Sequence, residues 1–376
     1  MAFDKLTGYL DSFGELGIPA CDCLVYIDHK PVYRHMRGFS DAAGKKPMDA
    51  HEAYFYYSAT KIFTCVAVLQ LIEEGKLGLD DPIYRYLPAF TMMTVADGDI
   101  TRAARSFITV RHLMSMQSGM DYDLNAKAIL NVLSAPGQNA TTRQIVDAQA
   151  HKPLSFDPGT NYQYSLSHDV LGAIVEVVSG QRFGEYLKEH IMDPLGMKEV
   201  GFSLTDSLRS RLCAQYIRDE AKGETTLIAA QNPYTFNQSY ESGGAGLIGG
   251  VDDYILLLDA LACGGVGKSG ARILRPKTID LYRTPQLGAQ SLASFTRAYQ
   301  GYSYALGVRV MVDRTMQNAK SPNGEFGWDG AAGAFALADP ENRLSVFYAQ
   351  HVRGYSAMFH EIHPRIRDLV YEGLGL

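Results

Sequence analysis

The chain contains few cysteines, and none of them form a recognisable pair. Only five occur among 376 residues, and no two are separated by the two residues found in metal-binding and redox pairs. An odd, scattered set argues against a disulfide framework and against a zinc site. We therefore expect reduced, mostly buried thiols at Cys21, Cys23, Cys65, Cys213 and Cys263.

Long apolar runs and blocks of like charge are also missing. No stretch reaches the length of a membrane-spanning helix, and no secretory leader is evident if Met1 is the native start. The net charge of −6 is spread along the sequence, which argues against nucleic acid or an anionic membrane as a partner. We expect a cytoplasmic protein that acts on a small, uncharged ligand, and the sequence leaves its oligomeric state open.

The most informative stretch runs over residues 54–75, where an aromatic segment leads into a long apolar helical pattern. Ser58 and Lys61 lie at the start of this pattern, and no other serine in the chain has a lysine three residues later. Residues three apart share a helix face, so the two side chains project toward one point. A lysine desolvated by aromatic neighbours loses its proton more readily and can activate a serine nucleophile. The alternative is that Ser58 only caps the helix and Lys61 is solvated.

Hydrophobic periodicity predicts the elements around this stretch. Helical spacing recurs over residues 3–16, 168–178, 183–192, 252–262 and 360–371, and strand patterns occur over residues 23–27, 32–36, 304–312, 332–338 and 344–349. Thr109 and either Thr141 or Thr142 stand where helix caps are expected, and Gly180 stands where a helix should end. The neighbouring strand patterns predict two antiparallel hairpins.

These elements predict a fold of the α/β class, of the α+β type. An antiparallel sheet would be flanked by N- and C-terminal helices, with a mainly helical domain inserted into it. The sheet domain would be discontinuous and comprise residues 1–85 and 205–376, and the insertion would comprise residues 86–204. A cleft at their junction is the natural place for a site.

Other sequence patterns that could indicate a cofactor, a metal or a different hydrolase fold are not supported by the residues around them. The glycines of residues 244–249 match a dinucleotide-binding spacing, but no βαβ unit surrounds them. His360 and His363 lack the four-residue spacing of the zinc-protease helix, so we interpret them as part of a solvated helix face and predict no metal. No Gly-x-Ser-x-Gly sequence exists, which argues against an α/β-hydrolase.

Several short motifs follow Ser58 and Lys61 in order along the chain. They are Gln117-Ser118-Gly119, Pro158-Gly159, Tyr164-Ser165, Pro194-Leu195-Gly196, Ser242-Gly243-Gly244 and Trp328-Asp329-Gly330. With them the chain resembles the serine β-lactamase and penicillin-binding-protein superfamily. The resemblance is to the branch that holds class C β-lactamases, D-alanyl-D-alanine carboxypeptidases and β-lactamase-like carboxylesterases, and it implies a β-lactamase/transpeptidase-like fold.

The resemblance also implies roles for individual residues. Ser58 would be the acylated nucleophile, Lys61 its proton partner, and Tyr164 the base and proton shuttle, with the Lys61 charge stabilising a Tyr164 phenolate. The backbone N–H groups of Ser58 and Ala331 would form the oxyanion hole. Water would release the acyl-Ser58 ester, and no metal or cofactor is expected.

Two departures from the family's motifs bear on the substrate. Leu166 replaces the asparagine of the tyrosine motif, and Trp328 replaces the lysine or histidine of the triplet that continues with Asp329 and Gly330. Each lost charge-assisted contact would be worth about 1.5–3 kcal/mol, which argues against penicillins and cell-wall D-peptides. Asp329 would further repel an anionic substrate if it faces the cleft. We expect these four residues to contact the substrate.

The leading hypothesis is a serine hydrolase that works through an acyl-Ser58 intermediate. Its motifs are most similar to those of the β-lactamase-like carboxylesterases, so we expect a carboxylesterase. Its substrate would be a small, uncharged ester. One alternative is a β-lactamase or an enzyme like the D-alanyl-D-alanine carboxypeptidases and D-aminopeptidases, acting on an amide. A second alternative is an acyltransferase that uses Ser58 in the same way. A third is a non-catalytic binding protein with the same fold.

Overall fold

The computed structural model describes residues 2–135 and 139–376. Met1, and with it the question of the native start, lies outside the described residues. The α-helices in these ranges are α1 (Asp4–Asp11), α2 (Thr60–Glu73), α3 (Val110–Met114), α4 (Lys127–Leu133), α5 (Thr142–Gln149), α6 (Ser167–Ser179), α7 (Phe183–Leu187), α8 (Asp193–Leu195), α9 (Asp206–Arg211), α10 (Val251–Ala262), α11 (Pro276–Tyr282), α12 (Ala289–Thr296) and α13 (His363–Leu374). Among the described residues, none of these helices has the length and apolarity needed to cross a membrane.

The strands of the described residues form a large antiparallel sheet and smaller ones. They are β1 (Ala20–Ile27), β2 (Lys30–Gly38), β3 (Ala53–Phe55), β4 (Thr94–Asp97), β5 (Ile100–Ala103), β6 (Gln215–Asp219), β7 (Glu224–Ile228), β8 (Ile248–Gly250), β9 (Tyr302–Tyr304), β10 (Arg309–Met311), β11 (Phe326–Gly327), β12 (Phe335–Asp339), β13 (Leu344–Gln350) and β14 (Val352–Arg353). The large sheet has the order β2-β1-β13-β12-β11-β10-β9. The predicted antiparallel sheet is confirmed, with hairpins β1–β2 and β12–β13 at the expected places.

Helices cover both faces of this sheet. Because successive side chains of a strand point to opposite faces, Cys23 and Val25 of β1 pack with α1 and α13, whereas Leu24 packs with α10. The same alternation holds on β13, where Val346 faces α13 and Phe347 faces α10. The terminal helices therefore flank the sheet as predicted.

The chain between residues 86 and 204 contains α3 to α8 and also the hairpin β4–β5, which the sequence pattern did not predict. Thr109 and Thr141 cap α3 and α5, because their hydroxyl oxygens accept the N–H groups of His112 and Gln144. Gly180 ends α6 in the left-handed conformation, with φ of 74°. The sequence therefore predicts these two helix starts and this helix end correctly.

Helix α2 joins the helical stretch to the sheet side. It packs along α6, and the Tyr254 hydroxyl of α10 donates to the carbonyl oxygen of Ala59 at its start. Its residues from Thr60 to Leu69 are buried around the whole circumference. Helix α2 and the residues at its start thus contact both α6 and α10.

Residues 304–312 do not form the single strand that their alternation predicted. Strand β9 ends at Tyr304, β10 begins at Arg309, and the two pair antiparallel. The chain reverses around Gly307, whose φ of 98° favours glycine. A Cβ atom at Gly307 would lie 2.2 Å from Cys65 Sγ, so this turn packs directly on α2.

Candidate active site

Ser58 lies on a 3₁₀ turn, Tyr57–Ala59, that connects β3 to α2. Tyr57, directly before it, has φ of 48°, a left-handed conformation that costs a non-glycine residue about 1–2 kcal/mol. Burial of the Tyr57 ring and a hydrogen bond from Gln215 to its hydroxyl hold this conformation. The turn leaves Ser58 partly exposed between buried neighbours, as expected for strain stored at a functional site.

Lys61 is fully buried beside Ser58. Its Nζ lies 3.3 Å from Ser58 Oγ and donates to the carbonyl oxygen of Gly244 at 2.7 Å. The same nitrogen lies 5.5 Å and 4.6 Å from the ring centres of Tyr122 and Tyr164. Burial lowers the pKa of Lys61 to about 7, although a nearby carboxylate opposes the shift. The neutral amine is therefore available near neutral pH to accept a serine proton.

Tyr164 lies between two other rings on the same wall. Its ring centre is 5.5 Å from that of Tyr122 and 5.6 Å from that of Trp328, whose indole N–H donates to Tyr164 Oη at 3.0 Å. Burial raises the pKa of Tyr164, and hydrogen bonds with Ser58 and Trp328 oppose this only in part. Our expectation that Lys61 stabilises a Tyr164 phenolate is therefore wrong. Burial removes both side chains from water, which disfavours the phenolate form of Tyr164 and the ammonium form of Lys61.

The segment from Trp328 to Ala331 approaches the Ser58 turn closely. A Cβ atom at Gly330 would lie 2.5 Å from the carbonyl oxygen of Tyr56, so only glycine permits this contact. Ser58 and Ala331 consequently line the same cleft. Backbone N–H groups at these two positions are the donors that the family resemblance implies for an oxyanion hole.

Asp329 does not present an unpaired charge to the cleft. Arg309 Nη1 donates to Asp329 Oδ1 at 2.8 Å, and both side chains are buried. His363 Nδ1 lies 3.7 Å from the other carboxylate oxygen. Burial alone would raise the pKa of Asp329, but Arg309 and His363 hold it below its usual value. The repulsion that we expected Asp329 to exert on anions is therefore offset by Arg309.

The cleft in front of Ser58 has a volume of about 570 Å³ and mostly aromatic walls. The rings that line it belong to Tyr122, Tyr162, Tyr164, Tyr234, Phe295, Tyr299, Trp328 and Phe359. Many of them touch one another, as in the pairs Tyr299–Trp328 at 5.7 Å and Phe295–Tyr299 at 4.9 Å between ring centres. Such walls favour an apolar ligand with few polar groups.

The structure brings most of the predicted substrate contacts together but leaves one out. Trp328, Asp329 and Gly330 line the cleft, whereas Leu166 does not. Leu166 is buried with Ile145 and Tyr240 in a separate hydrophobic cluster. Its position at the start of α6 is thus filled by core packing, and our expectation that it touches the substrate is corrected.

His363 differs from its sequence interpretation as part of a solvated helix face. It is buried, with Nε2 3.1 Å from the carbonyl oxygen of Gly333, whereas His360 is exposed. A π-helical turn, Met358–Ile362, precedes α13. It changes which residues of this segment face inward.

One possible metal-ligand group was not apparent from sequence spacing. Asp28, His29 and Cys263 bring their ligand atoms within 4.8 Å of one another among the described residues, and none of them lines the cleft. Asp28 is paired with Arg343 at 2.6 Å, and His29 Nδ1 lies 2.7 Å from Asp259. The residues come from distant parts of the chain, so spacing could not reveal the group.

Sequence reasoning also missed Tyr122 and Arg309. Tyr122 stacks on Tyr164, and Arg309 pairs with Asp329. A signal existed for Arg309, because an arginine inside an apolar strand pattern must find a partner when it is buried. No comparable signal existed for Tyr122, one of 23 tyrosines.

The chain is similar to known proteins along most of its length. Residues 6–371 match the family model described as Beta-lactamase. Esterase EstB of Burkholderia gladioli is 28% identical over 360 residues, covering 90% of this chain and 87% of that protein. Acyltransferase calJ of Penicillium decumbens is 26% identical over 343 residues, covering 85% and 80%. The solved structure of EstCE1, a hydrolase with promiscuous acyltransferase activity, superposes with a TM-score of 0.82 at 28% identity, covering 98% of each chain.

Proposed function

Because the chain belongs to the Beta-lactamase family and is a serine hydrolase with the β-lactamase/transpeptidase-like fold, we propose that it is a carboxylesterase working through an acyl-Ser58 intermediate. Its substrates are small, uncharged esters with apolar groups. The observation that carries this proposal is the 3.3 Å approach of the buried Lys61 Nζ to Ser58 Oγ. Lys61 and Ser58 are thereby matched as base and nucleophile at the cleft.

In the proposed reaction, Lys61 takes the hydroxyl proton of Ser58, and the neutral Tyr164 stays hydrogen-bonded to Ser58. Ser58 Oγ forms a bond to the ester carbonyl carbon, and the carbonyl oxygen gains a negative charge that the N–H groups of Ser58 and Ala331 stabilise. Collapse of this intermediate breaks the bond to the alcohol oxygen, and the alcohol leaves with a proton returned through Lys61 or Tyr164. Water then attacks the acyl-Ser58 ester in the same way, which releases the acid and restores the serine.

The preference for an uncharged substrate follows from what surrounds the cleft. Trp328 stands where the wider superfamily has a lysine or histidine, and it lies 5% exposed among other rings. Of the two cations near the cleft, Arg309 is already paired with Asp329 at 2.8 Å, and the Lys61 amine contacts Ser58 Oγ and the carbonyl oxygen of Gly244. A carboxylate-bearing substrate would therefore lose water without gaining a charged partner.

The proposal is tested by labelling and turnover in parallel. The native protein and a Ser58→Ala variant are incubated with a fluorophosphonate, a short p-nitrophenyl ester and a penicillin, with intact-protein mass spectrometry and absorbance as readouts. We expect ester turnover and a fluorophosphonate adduct only when Ser58 is present, and no penicilloyl adduct. Ser210→Ala, which removes an exposed serine of α9, is the matched control and should behave as the native protein.

Each other outcome selects another function. Undiminished turnover by a folded Ser58→Ala variant would refute the nucleophile assignment. A Ser58-dependent penicilloyl adduct would favour the β-lactamase or peptidase alternative. A native protein that reacts with none of the three reagents would favour a non-catalytic binding protein.

Acyl transfer to an alcohol is the second candidate function. The aromatic walls favour it, because an apolar alcohol bound there could replace water at the acyl-Ser58 carbonyl. The names of the relatives calJ and EstCE1 also mention acyltransferase activity. Adding an apolar alcohol during ester turnover should then produce a new ester in addition to the acid, which mass spectrometry detects.

A further inference from the structure

Asp169, on the first turn of α6, is a fully buried carboxyl group behind Lys61. Its Oδ1 accepts hydrogen bonds from the hydroxyl groups of Tyr240 and Ser242, each at 2.6 Å. Its Oδ2 lies 2.7 Å from where a Cβ atom of Gly244 would stand. A carboxyl group this deep is costly to bury unless its interactions are used.

A short backbone segment, residues 242–244, connects Asp169 to the Lys61 amine by hydrogen bonds. Asp169 holds this segment at Ser242, and the hydroxyl of Thr64 on α2 donates to the carbonyl oxygen of Gly243 at 2.6 Å. The carbonyl oxygen of Gly244, the next residue, accepts the hydrogen bond from Lys61 at 2.7 Å. The position of the Lys61 nitrogen is therefore set by a segment that Asp169 anchors.

We propose that Asp169 is the positioning residue for Lys61: through Ser242 it fixes the carbonyl that holds the amine beside Ser58, and its carboxylate stabilises the ammonium form after proton transfer. This inference rests on the proposed function, in which Lys61 takes the Ser58 proton. Asp169 is fully buried and does not line the cleft, so it acts only through Lys61. It also explains why a carboxyl group is fully buried on helix α6.

The other titratable groups around this pair keep their neutral forms near neutral pH. Burial raises the pKa of the tyrosines and of the thiol, and it lowers the pKa of the imidazole; these groups are Tyr122, Tyr164, Tyr240, Cys65 and His168. They come from α2, from α6 and from the loops packed against both. Burial raises the pKa of Asp169 itself, and the hydrogen bonds from Ser242 and Tyr240 together with the Lys61 charge oppose this. Lys61 and Asp169 are therefore the pair whose charges act on one another.

Asp169→Asn tests the proposal, because asparagine keeps the shape and the Oδ1 acceptor but removes the charge. With a neutral ester as substrate, we expect kcat to fall about 10- to 100-fold with little change in KM, since the ammonium form of Lys61 loses a stabilising charge in the chemical step while the cleft is unchanged. The acid limb of the kcat/KM profile should move to lower pH, because the negative charge no longer favours protonated Lys61. Ser242→Ala should lower kcat but leave the acid limb in place, since it cuts the link and keeps the charge.

Asp206→Asn, an exposed aspartate of α9, is the control and should match the native protein in both readouts. A folded Asp169→Asn variant with native kcat and an unmoved acid limb would overturn the proposal. If that variant does not fold, Ser242→Ala decides, and native kcat there overturns it. Activity that survives Ser58→Ala would instead contradict the proposed function, so the two failures are distinguishable.

Discussion

Two buried cations lie close to the cleft, and the protein treats them in opposite ways. Lys61 contacts only neutral groups directly, a carbonyl oxygen, a hydroxyl and two tyrosine rings. Arg309 forms a direct ion pair with Asp329 at 2.8 Å. Burial lowers the pKa of Lys61 to about 7. Burial also acts to lower the pKa of Arg309, but Asp329 together with Tyr302 and Glu325 raises it above its usual value.

The difference shows how one fold can make one cation reactive and another inert. A buried amine without a carboxylate in contact holds its proton weakly and can exchange it with a nucleophile. A buried guanidinium with a carboxylate partner keeps its charge and serves structure. Proximity to the cleft therefore does not by itself identify a catalytic cation, and the nature of its contacts does.

The largest expected effect comes from making Lys61 resemble Arg309. Lys61→Arg keeps a positive charge, but a guanidinium does not release its proton near neutral pH. We expect kcat/KM for a neutral ester to fall about 10² to 10⁴-fold. Lys188→Arg, at an exposed lysine, is the control. A Lys61→Arg variant with kcat/KM within twofold of the native value would remove Lys61 as the base.

The next effect comes from breaking the pair on the other side. Asp329→Asn leaves the buried Arg309 without its carboxylate, and we expect the free energy of unfolding to fall by about 3 kcal/mol in urea titration. Asp280→Asn removes the partner of Arg283 from an exposed pair and should cost less than about 1 kcal/mol. Equal losses in the two variants would show that the Arg309–Asp329 pair is no more important than a surface pair.

The smallest effect needs no substitution. Below pH 7 Lys61 binds a proton and cannot accept the one from Ser58, so kcat/KM should fall about tenfold for each pH unit below this value and level off above it. The raised pKa of Tyr164 keeps its phenol neutral, so we expect no further rise between pH 8 and 9. Rates measured from pH 5 to 9 check this, and a profile that stays flat down to pH 5 contradicts it.

Local signals in the sequence were sufficient for much of the fold. The caps at Thr109 and Thr141, the helix end at Gly180 and the hairpin β1–β2 depend on neighbours within a few residues, and all are confirmed. The family resemblance drawn from ordered motifs is confirmed as well. The reversal at Gly307 was missed, because a turn inside an alternating pattern depends on the packing of α2 beneath it.

The chemistry of the site was harder to predict than its location. Ser58 and Lys61 could be named from their spacing, but the protonation of Tyr164 depends on burial by rings that are distant in the chain. Leu166 and His363 show the same limit, since their neighbours decide that both are buried, Leu166 in a separate cluster and His363 beside Asp329. Sequence order identifies such residues, whereas the folded environment sets their charge and exposure.

The indole of Trp328 gives this protein a built-in optical reporter. It is the only tryptophan in the chain, and it lies in the wall of the cleft with its N–H bonded to Tyr164 at 3.0 Å. All tryptophan emission therefore originates beside Ser58. Ligand entry and acyl-enzyme formation can be followed by fluorescence on the unmodified chain, without a coloured substrate or an attached dye.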